Sequence, residues 1–146
     1  MKKNLALFSY FAVALLFVFT SCNSEDPSPE DEALDELSGT WSINSATTPD
    51  GEITLSGVSV NFNADNSTYS VTGLALLEEN NLNLSDVFAE QGAFALNDDQ
   101  TSIVLDGNNS LNYTITDNAI TLSYDSNFPK ETSDPVQLTL TGSKSN

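Results

Sequence analysis

The chain has 146 residues, 21 of them Asp or Glu and only 4 of them Lys, with no Arg and no His, for a net charge of −17. That balance excludes a nucleic-acid footprint, which needs clustered cations to displace counterions, and disfavours charge-driven binding to anionic lipid head groups. Without His the chain lacks the usual general base and the commonest transition-metal ligand, and a lone Cys rules out an intramolecular disulfide.

Lys2 and Lys3 give the chain a basic start, and residues 5–19 are then apolar except for Ser9 and Tyr10. A basic start, an apolar run and small residues before a cut describe a secretory signal peptide. The run is shorter than the ~20 apolar residues of a membrane-spanning helix, and Glu25 and Asp26 follow it, not stop-transfer cations. Residues 1–21 are therefore expected to be removed, taking two of the four Lys and none of the acidic residues. Phe19-Thr20-Ser21-Cys22 closes this stretch and contains the only Cys. These residues resemble the lipobox of bacterial lipoproteins: Thr20, Ser21 and Cys22 fill its last three places, and Phe19 stands where the motif has an aliphatic residue. The resemblance implies acylation of Cys22, palmitate-like chains on its sulfur and new amino terminus, and hence a membrane anchor. More than one acyl chain makes such anchoring stable. The alternative is that Cys22 is an incidental small residue beside an ordinary cleavage site.

Residues 22–36 read as an acidic tether with a short helical turn. Its first ten residues have no apolar side chain after Cys22 and suit a solvated spacer. Asn23-Ser24-Glu25-Asp26 resembles the acidic surface-export signal of Bacteroidetes-type lipoproteins and reads equally as an ordinary acidic linker. Ser28 suits a helix cap, Pro29 the first helical position, and the carboxylates of residues 30–32 the positive helix end. Ala33, Leu34 and Leu37 share one face, and Gly39 is a natural stop. The spacing predicts one or two helical turns against the end of the next domain.

From residue 37 onward, period-two alternation and turn chemistry predict about eight short strands. The first, 40–46, puts Trp41 and Ile43 on one face, and Pro49-Asp50-Gly51 turns the chain. The second ends at Phe62 with Val58 and Val60 inward and Ser59 and Asn61 outward. Asn63-Ala64-Asp65-Asn66 then leads into a third strand with Tyr69 and Val71 inward and Thr68, Ser70 and Thr72 outward. Residues 73–91 are irregular but rich in Leu. They read as a flap over an opening, or as a strand extension with a packed connection, with Ser85 suited to cap a short helix ending near Gly92. Strands at 93–96, 101–105, 111–115, 119–124 and 136–141 follow, with Asp117-Asn118 as a tight turn and a long loop holding Pro129 and Pro135. Polar Ser, Thr and Asn faces opposite Val, Leu, Ile and aromatics suit a one-sided antiparallel sheet. The fold class is all-β, an antiparallel meander that closes into a barrel or stacks as a β-sandwich.

No Ser-His-Asp set, HExxH helix or phosphate loop can be assembled from these residues. Paired carboxylates serve glycosidases, but Asp50, Asp65, Asp98, Asp99, Asp106 and Asp117 sit where turn chemistry already calls for them. Asp98-Asp99 or Asp106 offers oxygens to calcium, without the EF-hand spacing. We expect no enzyme, no cofactor and no metal site.

Leu37-Ser38-Gly39-Thr40-Trp41, the Phe62 to Tyr69 hairpin and the late Ile-Thr-Leu-Ser and Leu-Thr-Leu strands resemble the lipocalin-like domains of Bacteroidetes-type bacterial lipoproteins. The resemblance runs from Leu37 to Gly142 and implies a closed barrel over residues 37–146. In that family a Trp closes one barrel end beside a basic residue from late in the chain; here only Lys144 is available, beyond the predicted last strand. Trp41 is expected to be a core plug first and a ligand contact second. The expected protein is a non-catalytic lipoprotein anchored at the outer membrane through Cys22, with possible exposure at the cell surface. Its barrel is expected to hold a small neutral or apolar ligand. The alternative is an accessory or protein-interaction domain with a filled barrel and no ligand.

Overall fold

The computed structural model describes residues 27–80, 82, 87–126 and 136–145. Helix α1 (Pro29–Leu37) begins as its sequence dictates. The Ser28 hydroxyl accepts from the Asp31 amide, and the Asp31 carboxylate accepts in return from the Ser28 amide and hydroxyl. Those bonds hold the Asp31 carboxyl below its usual range. The helix is longer than one or two turns and ends at Leu37, with Ser38 donating its amide to the Leu34 carbonyl.

Eight strands follow: β1 (Gly39–Thr48), β2 (Gly51–Asn63), β3 (Thr68–Thr72), β4 (Gln91–Leu96), β5 (Ser102–Leu105), β6 (Asn109–Thr116), β7 (Ala119–Ser126) and β8 (Val136–Lys144). Each pairs antiparallel with its neighbours in sequence, and β8 pairs with β1, so the sheet closes into an up-and-down barrel. That closing ladder excludes the sandwich. It also corrects the end of the last strand, which continues past Thr141 to Lys144, opposite Trp41. The predicted alternation holds on β3, where Tyr69 and Val71 are buried between exposed Thr68, Ser70 and Thr72. On β2 it breaks: Leu55 and Val58 are both buried, three residues apart, where the β1–β2 register shifts. A bulge of this kind bends a strand and helps a sheet close.

The barrel is apolar inside and polar outside, the reverse of a membrane-spanning barrel. Trp41, Phe62, Tyr69, Phe94, Ile103, Leu111, Ile120 and Leu140, one from each strand in order, belong to one buried cluster. Phe62 and Phe94 meet edge to face with centroids 5.3 Å apart. Among the described residues no helix is long and apolar enough to cross a membrane.

The link from β3 to β4 is a packed connection and not a strand extension. It holds helix α2 (Leu74–Glu79), whose Leu77 is buried along with Leu82 and Phe88 further on. The short helix predicted to end near Gly92 is not found at its described end, since residues 87–90 are non-helical. Ser85 and Leu84 lie outside the described residues. Gly73 explains why α2 starts where it does. Its φ is +83°, and it lies so close to Gly57 on β2 that a Cβ would stand 2.4 Å from the Gly57 carbonyl oxygen. The Asn80 side chain closes the other end by donating to the Leu76 carbonyl at 2.7 Å.

Candidate functional site

Three places on the barrel hold organised polar chemistry: its two ends and one stretch of its outer wall. At the first end, α1 and Trp41 form the closure. The last carbonyls of a helix lack partners within it. Here the Trp41 indole nitrogen donates to the Leu37 carbonyl at 2.8 Å, and Lys144 Nζ donates to the Glu36 carbonyl at 3.1 Å. Lys144 Nζ also lies 5.2 Å from the centre of the Trp41 ring, within cation–π range. Gly39 leaves room for this arrangement: a Cβ there would stand 3.1 Å from Lys144 Cε. Gly39, Trp41 and Lys144 thus come together as a structural plug. Trp41 is 0 % exposed. Tyr113 stands nearby, its phenol pushed up by burial and by the charge of Glu36.

A second network, centred on Tyr69 and Asp106, fastens the β3–β4 connection and the β5–β6 turn to the barrel wall. The Tyr69 hydroxyl donates to Asp106 Oδ2 at 2.8 Å and accepts from the Ala89 amide at 3.1 Å. Asp106 Oδ1 accepts from the Ala93 amide at 2.9 Å. Phe88 packs edge to face on Tyr69 at 6.3 Å. Gly92 makes space for the carboxylate, since a Cβ there would come within 2.3 Å of Asp106 Oδ1. Burial, followed by the bond to Asp106, pushes the Tyr69 phenol up from 10.0 to about 12. The folded state therefore keeps this proton between pH 10 and 12 while the unfolded chain releases it. Stability from this group is complete below pH 10 and is lost as pH rises toward 12. With the hydroxyl partly screened by solvent, we expect a loss of about 1–2 kcal/mol over that window. Urea unfolding at pH 9 and pH 11.5 checks it. Tyr69→Phe is less stable at pH 9 and has a shallower alkaline decline than the parent chain. Equal slopes would refute the assignment.

Between these ends the described core side chains pack into one buried cluster. Trp41, Ile103, Leu105, Leu111, Ile120 and Leu122 are inaccessible to solvent. A void large enough for a ligand would leave the side chains that line it accessible. Tyr113 and Ile115 are only partly buried but pack against the same cluster. Among the described residues Leu76 is the one large apolar side chain that is exposed, at 37 %. An exposed apolar patch around Leu74 to Leu84 would support a surface-acting domain; its described residues, 74–80 and 82, form no broad one, and the rest lie outside the described residues.

The predicted turn carboxylates lie in turns or at strand ends. Asp106 and Asp117 have φ of 49° and 54°, the left-handed conformation that short polar side chains tolerate in tight turns. Asp98 and Asp99 are exposed in the β4–β5 turn. Among the described residues no group of three or more His, Cys, Asp or Glu could hold a metal ion. Cys22 lies outside the described residues.

The outer wall carries a groove of about 500 Å³ across β2, β3 and β4. Strand register explains its lining. Asn61 pairs with Ser70, and Ser70 with Gln91; Asn63 pairs with Thr68 two residues along. Between those rows Phe62, Tyr69 and Gly92 are aligned. Phe62 and Tyr69 are buried, and the Cβ direction at Gly92 is toward Asp106, so this middle row presents backbone to the groove floor. Sequence reasoning placed Asn61, Thr68 and Ser70 outward but did not join them to Gln91, because that juxtaposition depends on the β3–β4 register. The usable signal was a run of outward positions filled with amides and hydroxyls instead of charges. Searches against protein-family models, curated proteins and solved structures give no match for this chain.

Proposed function

We propose that this protein is a lipid-anchored, non-catalytic accessory of the bacterial outer membrane, held through an acylated Cys22, whose lipocalin-like barrel acts through its outer surface and not through an interior ligand. The packed interior carries the reading about the barrel. Small barrels are commonly filled by their own side chains, and here the inward face of every strand joins one buried cluster. The anchor rests on the sequence: a single Cys at the end of an apolar run, followed by an acidic tether. The Gly39–Trp41 strand start and the Lys144 contact that completes the plug support reading the domain as similar to the lipocalin-like domains of Bacteroidetes-type lipoproteins. With residues 1–21 removed, two Lys and 21 acidic residues leave a charge of −19 (2 − 21), which keeps such a domain hydrated and away from anionic surfaces.

Two measurements on the full chain expressed in a bacterial host test both parts. Membrane fractionation with intact mass spectrometry should find the protein in the membrane pellet with acyl chains on Cys22. Cys22→Ser should move it to the soluble fraction without changing its fold. Unmodified parent protein in the soluble fraction would refute the anchor. Native mass spectrometry should show no stoichiometric mass beyond the acyl chains. An extra apolar mass that leaves on denaturation would return the barrel to ligand carriage.

A further inference from the structure

We propose that the groove on the outer wall formed by β2, β3 and β4 is a binding site for a neutral oligosaccharide. The inference rests on the reading that the barrel acts through its surface, and it identifies the ligand class for that surface. The side chains facing the groove are the amides of Asn61, Asn63 and Gln91 and the hydroxyls of Thr68 and Ser70. None is charged and none is aliphatic. Carboxamides and hydroxyls each offer both donors and acceptors, which is what a sugar hydroxyl requires of a partner.

Other ligand classes fit less well. An anion would meet a chain of net charge −17 without Arg or His, and Lys144 is engaged with the Glu36 carbonyl and the Trp41 ring. An apolar ligand would find no large apolar side chain exposed there, since Phe62 and Tyr69 are buried and the apolar surface left is backbone carbon and the short stems of the polar side chains. An extended peptide gains affinity by adding to a free sheet edge, but a closed barrel has none, and these strands spend their backbone bonds on one another.

The dimensions also suit a saccharide. Neighbouring strands are about 5 Å apart, and alternate residues on a strand about 7 Å apart, so the polar groups form a two-row grid at the scale of sugar hydroxyls. A volume of about 500 Å³ lies within the range of small-molecule sites. Part of the grid is ordered in advance, which lowers the ordering cost of binding. Asn61 Nδ2 donates to Thr40 Oγ1 at 2.7 Å, and Asn63 Oδ1 accepts from the Asn66 amide at 3.3 Å. Asn61 keeps its carbonyl oxygen and a second amide proton for a ligand. Tyr69 is 2 % exposed, so hydrogen bonding and not ring stacking carries recognition. Exposed hydrogen bonds give a small net gain each, and a Kd of about 1 mM is expected.

The test is a nuclear magnetic resonance titration of the full ¹⁵N-labelled chain with N,N′-diacetylchitobiose, maltotriose and cellotriose in turn. At least one probe should give saturable amide shifts at residues 61–63, 68–70 and 91–93. The double variant Ser70→Ala/Gln91→Ala should raise Kd by about tenfold or more, while Thr114→Ala, exposed elsewhere on the outer wall, leaves it unchanged. Both groove positions are exposed, so the urea midpoint should hold; if it falls, Thr68→Ala replaces the double variant. No saturable shift with any probe, or one insensitive to the groove variants, would overturn the groove and leave the surface-acting reading standing. Shifts centred on the Trp41 indole would place the sugar inside the barrel and overturn both.

Discussion

Trp41→Ala lowers the unfolding free energy by about 3–5 kcal/mol, the range for deleting a large aromatic from a packed core. A marginally stable domain has about 5–15 kcal/mol in total, so this one change removes a large share. Three contributions disappear together. The indole is fully buried, and its removal leaves a cavity that the neighbouring strands, locked in a closed ladder, cannot readily fill. The bond from the indole nitrogen to the Leu37 carbonyl is lost, leaving the last turn of α1 with a bare carbonyl. Lys144 loses the ring it lies over, a contact worth about 0.5–1 kcal/mol. Trp41→Phe separates these effects: it keeps most of the apolar volume but drops the hydrogen bond, and should cost about 1–2 kcal/mol. Urea unfolding followed by far-ultraviolet circular dichroism is the measurement, because Trp41 is the only Trp and fluorescence vanishes with it. A loss below about 1 kcal/mol for Trp41→Ala would show that it does not close the barrel.

Gly73→Ala should cost about 2–4 kcal/mol, for a change of one methyl group. The backbone there has φ of +83°, which L side chains adopt only at a cost. The new methyl would also meet the Gly57 carbonyl and the Val58 Cα at 2.4 and 3.1 Å. These are backbone atoms of β2 and cannot rotate away. Either α2 lifts from the barrel or β2 is pushed out of register. Gly107 is the control: its φ is +74°, but a Cβ there would touch nothing within 4 Å. Gly107→Ala should therefore show the conformational penalty alone, about 1–2 kcal/mol. Equal losses at the two positions would mean that the α2 contact contributes nothing. Hydrogen exchange gives a second readout, since lifting α2 should raise exchange at residues 74–79 and at the Leu82 amide, which bonds the Leu77 carbonyl at 2.9 Å.

Much of the barrel is legible in the sequence. Strand positions followed from alternation, because inward and outward environments differ so sharply that each residue reports its side. The Asp117-Asn118 turn and the Ser28 cap were legible because their chemistry lies within four residues. The β3–β4 connection was only half legible: its leucines announced burial, but the helix at 74–79 depends on Gly73 meeting Gly57 across the sheet. The β2 bulge was missed because alternation assumes one residue per step.

What the sequence determined on its own is the local grammar: an all-β chain, the order of its strands and most of their facing, its turns, the capped helix ahead of them, and a strongly acidic charge. Tertiary structure alone decided the relations between distant residues. The β1–β8 ladder closes the sheet through the accumulated twist and stagger of all eight strands, a sum that no local window contains. That closure extends β8 and carries Lys144 to Glu36, 108 residues away in sequence. The β3–β4 and β4–β5 registers likewise join Tyr69 to Asp106 across 37 residues, and the β2–β3–β4 register lines Asn61, Ser70 and Gln91 along one groove. Facing is a property of one strand, whereas neighbourhood is a property of the closed sheet.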